Sequence, residues 1–237
     1  MKKTYKLLFT AVLCVLLAVS SIPYVSAFSE PSAPSKVLYR SDYAIEEHCL
    51  IITPKTNSTC FQVQVIDAEG VTTVNKYYKC GSYSDTFYKL GKDYIIQNFR
   101  KYIGNGQFYK VKVRAFNASN YKSGKPNASA KYSGWASTFA AETVTGAKAV
   151  RTNNKKNVKS SWNKTQGATC YTLRFAFVDI FSVKKEMTTD KTSVTLSKID
   201  GVLLRNAKEI TLQIVPVKLD KYAYRGADWK FHKLKIR

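Results

Sequence analysis

Acidic side chains are scarce in this chain. Among 237 residues there are 16 Asp or Glu against 38 Lys or Arg, a formal net charge of +22. Histidine is nearly absent: His48 and His232 lie far apart, and no Cys-x-x-Cys occurs. That argues against a zinc centre or a dithiol redox site. The chain also lacks a Gly-x-Ser-x-Gly nucleophile elbow, a phosphate-binding glycine loop and a metal-binding helix motif. No catalytic constellation is visible, so the expectation is a protein that is not an enzyme and needs no cofactor. The densest acid–imidazole cluster, Glu46-Glu47-His48, reads as solvated carboxylates at a strand edge. Beyond Val19 no stretch is apolar enough to span a bilayer, so no transmembrane anchoring is expected.

The one long apolar run is at the start. Lys2, Lys3 and Lys6 precede Leu7–Val19, and Val25-Ser26-Ala27 supplies the small residues that a signal peptidase reads. Residues 1–27 are therefore expected to be a signal peptide cleaved after Ala27, leaving a secreted, extracellular chain. Four cysteines remain, Cys49, Cys60, Cys80 and Cys170. An exported chain permits disulfides. Cys60 with Cys80 could bridge adjoining strands, Cys49 offers a second option, and Cys170 has no local partner.

What is present is a repeat. Thr59-Cys60-Phe61-x-Val63-x-Val65 returns as Thr169-Cys170-Tyr171-x-Leu173-x-Phe175, at an offset of 110 residues. A period of that size implies two similar domains in tandem, residues 28–141 and 142–237. Short alternating segments fill both halves: Phe61–Ile66, Val71–Tyr78 and Val111–Ala115 in the first, Val158–Trp162, Tyr171–Val178, Ser182–Met187, Ser193–Ser197 and Ile210–Val217 in the second. With turns between them, such segments make an antiparallel β-sandwich. Ile95, Ile96, Phe99 and Ile103 are at helical spacing, so Asp93–Ile103 is expected to be a helical turn closing the sandwich edge. Asp200–Arg205 is expected to do the same in the second half. Pro216 lies within an otherwise strand-like run, which places it at an edge, a bulge or a strand end.

Tyr109-Lys110-Val111-Lys112-Val113-Arg114-Ala115-Phe116-Asn117 resembles the sixth-strand signature of fibronectin type III domains, Tyr-x-Val-x-Val-x-Ala-x-Asn. Tyr132-Ser133-Gly134-Trp135-Ala136-Ser137 resembles the lead into that family's last strand. Val158–Trp162 and Gly167–Phe175 resemble its second and third strands, with Trp162 as the core tryptophan. Trp162, Tyr171, Leu173 and Phe175 are then expected to fill one core, with Ile52 replacing the tryptophan in the first half. The resemblance implies an all-β fold of two tandem fibronectin-type-III-like (immunoglobulin-like) antiparallel sandwiches. The Tyr132–Ser137 segment is also similar to the Trp-Ser-x-Trp-Ser box of cytokine receptors, but it lacks the first tryptophan and lies in the first domain instead of the second.

The charge points to anionic partners. Residues 146–237 hold 20 basic and 7 acidic side chains, and residues 28–145 hold 15 and 9. Lys155, Lys156 and Lys159 form the densest basic group. The long loop from Asn117 to Lys131 offers Tyr121 beside Lys122 and Lys125, a stacking face with cations suited to acidic sugars or an acidic protein patch. These six residues are the candidate ligand-binding set. The expected function is binding or adhesion at a cell surface or in an extracellular matrix. The partner would be an anionic surface polymer, a glycan or a protein, with nucleic acid bound only non-specifically. Two alternatives stay open: a glycan- or wall-polymer-degrading enzyme or its accessory module, and a passive structural spacer.

Overall fold

The computed structural model describes residues 30–42, 47–56, 58, 60–118, 121–122, 124–142, 144–176, 185–219, 223–225 and 231–237. The proposed signal peptide lies outside these residues.

The first half contains β1 (Lys36–Asp42), β2 (Glu47–Thr53), β3 (Cys60–Ile66), β4 (Thr72–Lys79), β5 (Phe87–Leu90), β6 (Asp93–Ile96), β7 (Phe108–Asn117), β8 (Tyr121–Lys122), β9 (Lys125–Pro126), β10 (Lys131–Tyr132) and β11 (Ala136–Ala141). One sheet runs β1-β2-β6-β5, and the other runs β4-β3-β7 with β10 and β11 both on the far side of β7. The second half contains β12 (Lys148–Arg151), β13 (Val158–Ser161), β14 (Cys170–Ala176), β15 (Lys185–Thr189), β16 (Ser193–Leu196), β17 (Lys198–Ile199), β18 (Val202–Leu203), β19 (Glu209–Leu219), β20 (Ala223–Arg225) and β21 (Phe231–Lys235). It repeats the plan: β12-β13-β16 faces β15-β14-β19, with β20 and β21 both on β19. The described residues are thus nearly all β, two antiparallel sandwiches in tandem, each with its own core.

Alternation explains the two cores. On β7, Tyr109, Val111, Val113 and Ala115 point into the first core with Ile52, Phe61, Val63 and Phe99. The second core gathers Val158, Trp162, Tyr171, Leu173, Phe175, Leu212 and Ile214. A period of two puts every other residue on the buried face, so the residues between them, Lys110, Lys112 and Arg114, face out.

Asp93–Ile103 is not a helical turn throughout. Asp93–Ile96 is strand β6, and only Phe99–Tyr102 forms a single 3-10 turn. The apolar spacing misled because β6 lies between β2 and β5 and buries Tyr94, Ile95 and Ile96 together. A strand covered on both faces loses its alternation and mimics a helical pattern. The turn still closes the sandwich, with Phe99 fully buried. Asp200–Arg205 likewise resolves into the small β17–β18 hairpin and a 3-10 turn that buries Leu204. Pro216 lies inside β19 opposite Tyr171. On the other side of β19, β21 pairs with Glu209–Gln213 and β20 with Val217–Leu219. Pro216 falls in the gap between those two ladders, where a missing N–H does least harm.

The joint is more than a linker. Gln107 and Gln166 form a parallel bridge, with Phe108 N donating to Gln166 O at 2.9 Å and Gln166 N to Gly106 O at 2.7 Å. Gln166 Nε2 also donates to Glu69 Oε1 at 2.9 Å. Gly146 in the connection has φ 68°, and a Cβ there would stand 2.7 Å from the Asn163 side chain, so only glycine fits.

Candidate functional site

The outward face of the β4-β3-β7 sheet carries the richest chemistry. Arg114 donates from Nε to Gln62 Oε1 at 2.6 Å. Gln62 in turn donates from Nε2 to Asn75 Oδ1 at 2.8 Å and to Tyr77 OH at 3.1 Å. These contacts follow from register, since Gln62 stands opposite Tyr77 on one side and Arg114 on the other. The Arg114 guanidinium packs 3.8 Å from the Tyr132 ring centre and 4.5 Å from that of Trp135. Lys112 Nζ lies 4.5 Å from the same Trp135 ring. Tyr132 continues onto Phe116, and Phe116 onto Tyr77. At the joint, Lys218 of the second sandwich places Nζ 4.4 Å over Phe139, the cross-strand neighbour of Lys110.

This is a row of cations laid on aromatic rings. Each such contact contributes about 0.5–1 kcal/mol when exposed. The cations are also left without carboxylates. No Asp or Glu occurs on β3, β4, β7, β10 or β11, which carry Lys76, Lys79, Lys110, Lys112, Arg114 and Lys131.

Of the six residues expected from the sequence, Lys125 belongs to this region. It is exposed on β9 and lines a shallow groove with Asn75, Lys76, Tyr77 and Gly124. Tyr121 and Lys122 form the other arm of that hairpin, pairing with Pro126 and Lys125; their side chains lie outside the described residues. Lys155 and Lys156 are exposed at the β12–β13 turn, where Lys155 N donates to Thr152 O at 2.8 Å and Lys156 N to Asn154 Oδ1 at 3.1 Å. Lys159 is separate from them. It lies on β13 and lines a different groove with Thr188, Asp190 and Lys191. Lys184 is outside the described residues.

Reasoning from sequence missed Lys112, Arg114 and Trp135 as a unit. The signal was present: Lys110, Lys112 and Arg114 alternate with Val111, Val113 and Ala115. It also misjudged His48. Glu46 and the Glu47 side chain lie outside the described residues, but His48 is no solvated edge residue. Its Nδ1 is 2.9 Å from Tyr39 OH and 3.2 Å from Glu142 Oε1. Tyr39 OH donates to that same Oε1 at 2.6 Å, and Arg100 Nε reaches Glu142 Oε2 at 2.8 Å. Glu142 is 1% exposed. Burial alone would raise its pKa, yet the bonds from His48 and Tyr39 and the charges of His48 and Arg100 outweigh burial and hold the carboxyl below its usual range. Tyr39 is pushed far up, by burial and by the Glu142 charge. This carboxylate fastens the end of β11 to β1, β2 and the Phe99–Tyr102 turn.

Among the described residues no group of three or more His, Cys, Asp or Glu could hold a metal, and no helix is long and apolar enough to cross a membrane. Cys80 and Cys170 are free thiols. No family model and no curated protein matches the sequence. Among solved structures, the chain is similar to a two-domain fibronectin type III segment from chicken tenascin, at 12% identity and a TM-score of 0.32, over 87% of this chain and 99% of that one.

Proposed function

We propose that this is a secreted, non-catalytic binding protein that attaches to an anionic polymer at a cell surface or in an extracellular matrix. The observation that carries the reading is the carboxylate-free sheet face of the first sandwich, with Lys112 and Arg114 fixed on Trp135 and Tyr132. A positive face with no internal counter-charge attracts polyanions and releases their condensed counterions on contact. The groove beside Lys125 extends it towards the β8–β9 hairpin. Lys155, Lys156 and Lys159 add to the general field from the second sandwich.

The test is a binding titration of wall polymer or sulfated glycan at two salt concentrations. The parent protein should bind, and binding should weaken steeply with salt. Lys112→Glu with Arg114→Glu should weaken it by more than about tenfold, a loss of roughly 1.4 kcal/mol. Reversing Lys155, Lys156 and Lys159 should cost less. A parent that binds no polyanion at low salt would sink the proposal.

A further inference from the structure

Resting on that reading, we propose that the face selects a linear phosphodiester polymer of the polyol-phosphate kind, laid along β7 and continued across the joint to Lys218.

The argument starts from spacing. Lys110, Lys112 and Arg114 alternate with Val111, Val113 and Ala115, which are buried, so all three cations stand on one face. Alternate residues of an antiparallel strand are about 7 Å apart. Phe139 stands opposite Lys110 on β11 and carries Lys218 on its ring, which places a fourth cation beside the end of the row. The chain of a polyol phosphate, from one phosphorus to the next through a three-carbon unit, has as many backbone bonds as two residues of extended peptide. Its phosphates therefore also recur at about 7 Å when extended. One phosphate per outward cation follows. A glycan with one carboxylate per disaccharide spaces its charges too widely to match successive side chains.

The row is also pre-set. The rings of Trp135, Tyr132 and Phe139 hold three of the four cations in place, so less side-chain freedom is lost when a ligand binds. The acids of the β3–β4 turn, Asp67 and Glu69, are engaged. Asp67 Oδ1 accepts from Glu69 N at 3.1 Å and Val71 N at 2.7 Å, and Glu69 Oε1 from Gln166 Nε2. Single-stranded nucleic acid has the same phosphate repeat, but it binds such surfaces by stacking bases on open aromatic faces. Here cations already lie over Trp135, Tyr132 and Phe139.

The experiment titrates the full secreted chain with poly(glycerol phosphate), hyaluronan and oligothymidylate under the same buffer. Poly(glycerol phosphate) should bind about tenfold tighter than either of the others. Lys110→Gln, Lys112→Gln and Lys218→Gln should each lower the salt slope by about 0.7–0.9. Lys112→Arg should bind like the parent, and Lys198→Gln, which removes a cation elsewhere, should leave affinity for the polymer within twofold or so. Lys110 is exposed, so its variant should keep the parent's melting temperature and remain informative if Lys112→Gln folds poorly. Equal affinity for hyaluronan and poly(glycerol phosphate) would overturn the spacing inference while leaving an anionic ligand in place. Tighter binding of oligothymidylate would overturn it in favour of nucleic acid. Binding of none of the three would remove the underlying reading as well.

Discussion

The two sandwiches answer the same structural position with opposite electrostatics. In the first, a row across three strands reads Asn75, Gln64, Lys112; in the second the equivalent row reads Glu186, Arg174, Gln213. Arg174 Nε meets Glu186 Oε2 at 2.8 Å, and Nη1 lies 3.4 Å from Gln213 Oε1. That cation is neutralised within its own sheet. Lys112 faces a glutamine and a tryptophan ring instead and keeps its charge available. Net charge and local arrangement therefore rank the two domains in opposite orders. The second has the larger excess of lysine and arginine, but its β14–β15 pair cancels part of its field locally. At physiological salt the screening length is about 8 Å, so local arrangement outweighs the total.

The comparison can be pressed hardest at the cores. Ile52 and Trp162 are equivalent positions, both buried. Trp162→Ala should destabilise the second sandwich by about 3–5 kcal/mol and Ile52→Ala the first by about 2–5 kcal/mol. Each should lower one transition in a two-step denaturant titration and leave the other in place. A single shared transition in both variants would show that the sandwiches do not fold as separate units.

Glu142 has no counterpart cluster among the described residues of the second sandwich. Glu142→Gln removes the charge that accepts from Tyr39 and half-exposed Arg100 and should destabilise the first sandwich by about 1.5–3 kcal/mol, the range for hydrogen bonds to a charged group. Because the folded carboxyl is held below its unfolded range, its contribution is complete above the unfolded value near pH 4.3 and is lost as pH falls through the folded value. Acid titration of stability should show that loss in the parent and not in Glu142→Gln. Identical acid profiles would remove Glu142 as the source.

Arg174→Ala removes an exposed pair and should cost the second sandwich only about 0.2–1 kcal/mol, with no change in polymer binding. Arg114→Ala should cost a similar amount of stability and lose binding. If both lose binding equally, the contrast between the sheets is not functional. The smallest effect concerns a thiol. Burial pushes the Cys80 pKa up to about 11, and contact with Tyr94 offsets this only in part. Alkylation of Cys80 at neutral pH should therefore run slower than that of a free cysteine, because the thiolate is the reactive form.

The strand plan was legible because apolar alternation and the 110-residue repeat are properties of adjacent residues. Tyr109, Val111, Val113 and Ala115 announced their own inward face, and Trp162 its core position. What stayed hidden needed register. Nothing in the sequence says that Gln62 lies between Tyr77 and Arg114, or that Tyr132 and Trp135 flank the same guanidinium. The His48–Glu142 contact spans nearly the whole first sandwich and has no local trace. β6 was misread for the converse reason: its neighbours on both sides erase the alternation that would have marked it.

The bridge at Gln107 and Gln166 bears on mechanics. Its two backbone hydrogen bonds and the Gln166–Glu69 bond contribute about 1 kcal/mol each. A folded domain is typically stable by about 5–15 kcal/mol. Under tension along the chain, the joint is therefore expected to yield before either core, so that a force–extension measurement reads a first lengthening by swinging open between the halves, reversed when the load is released.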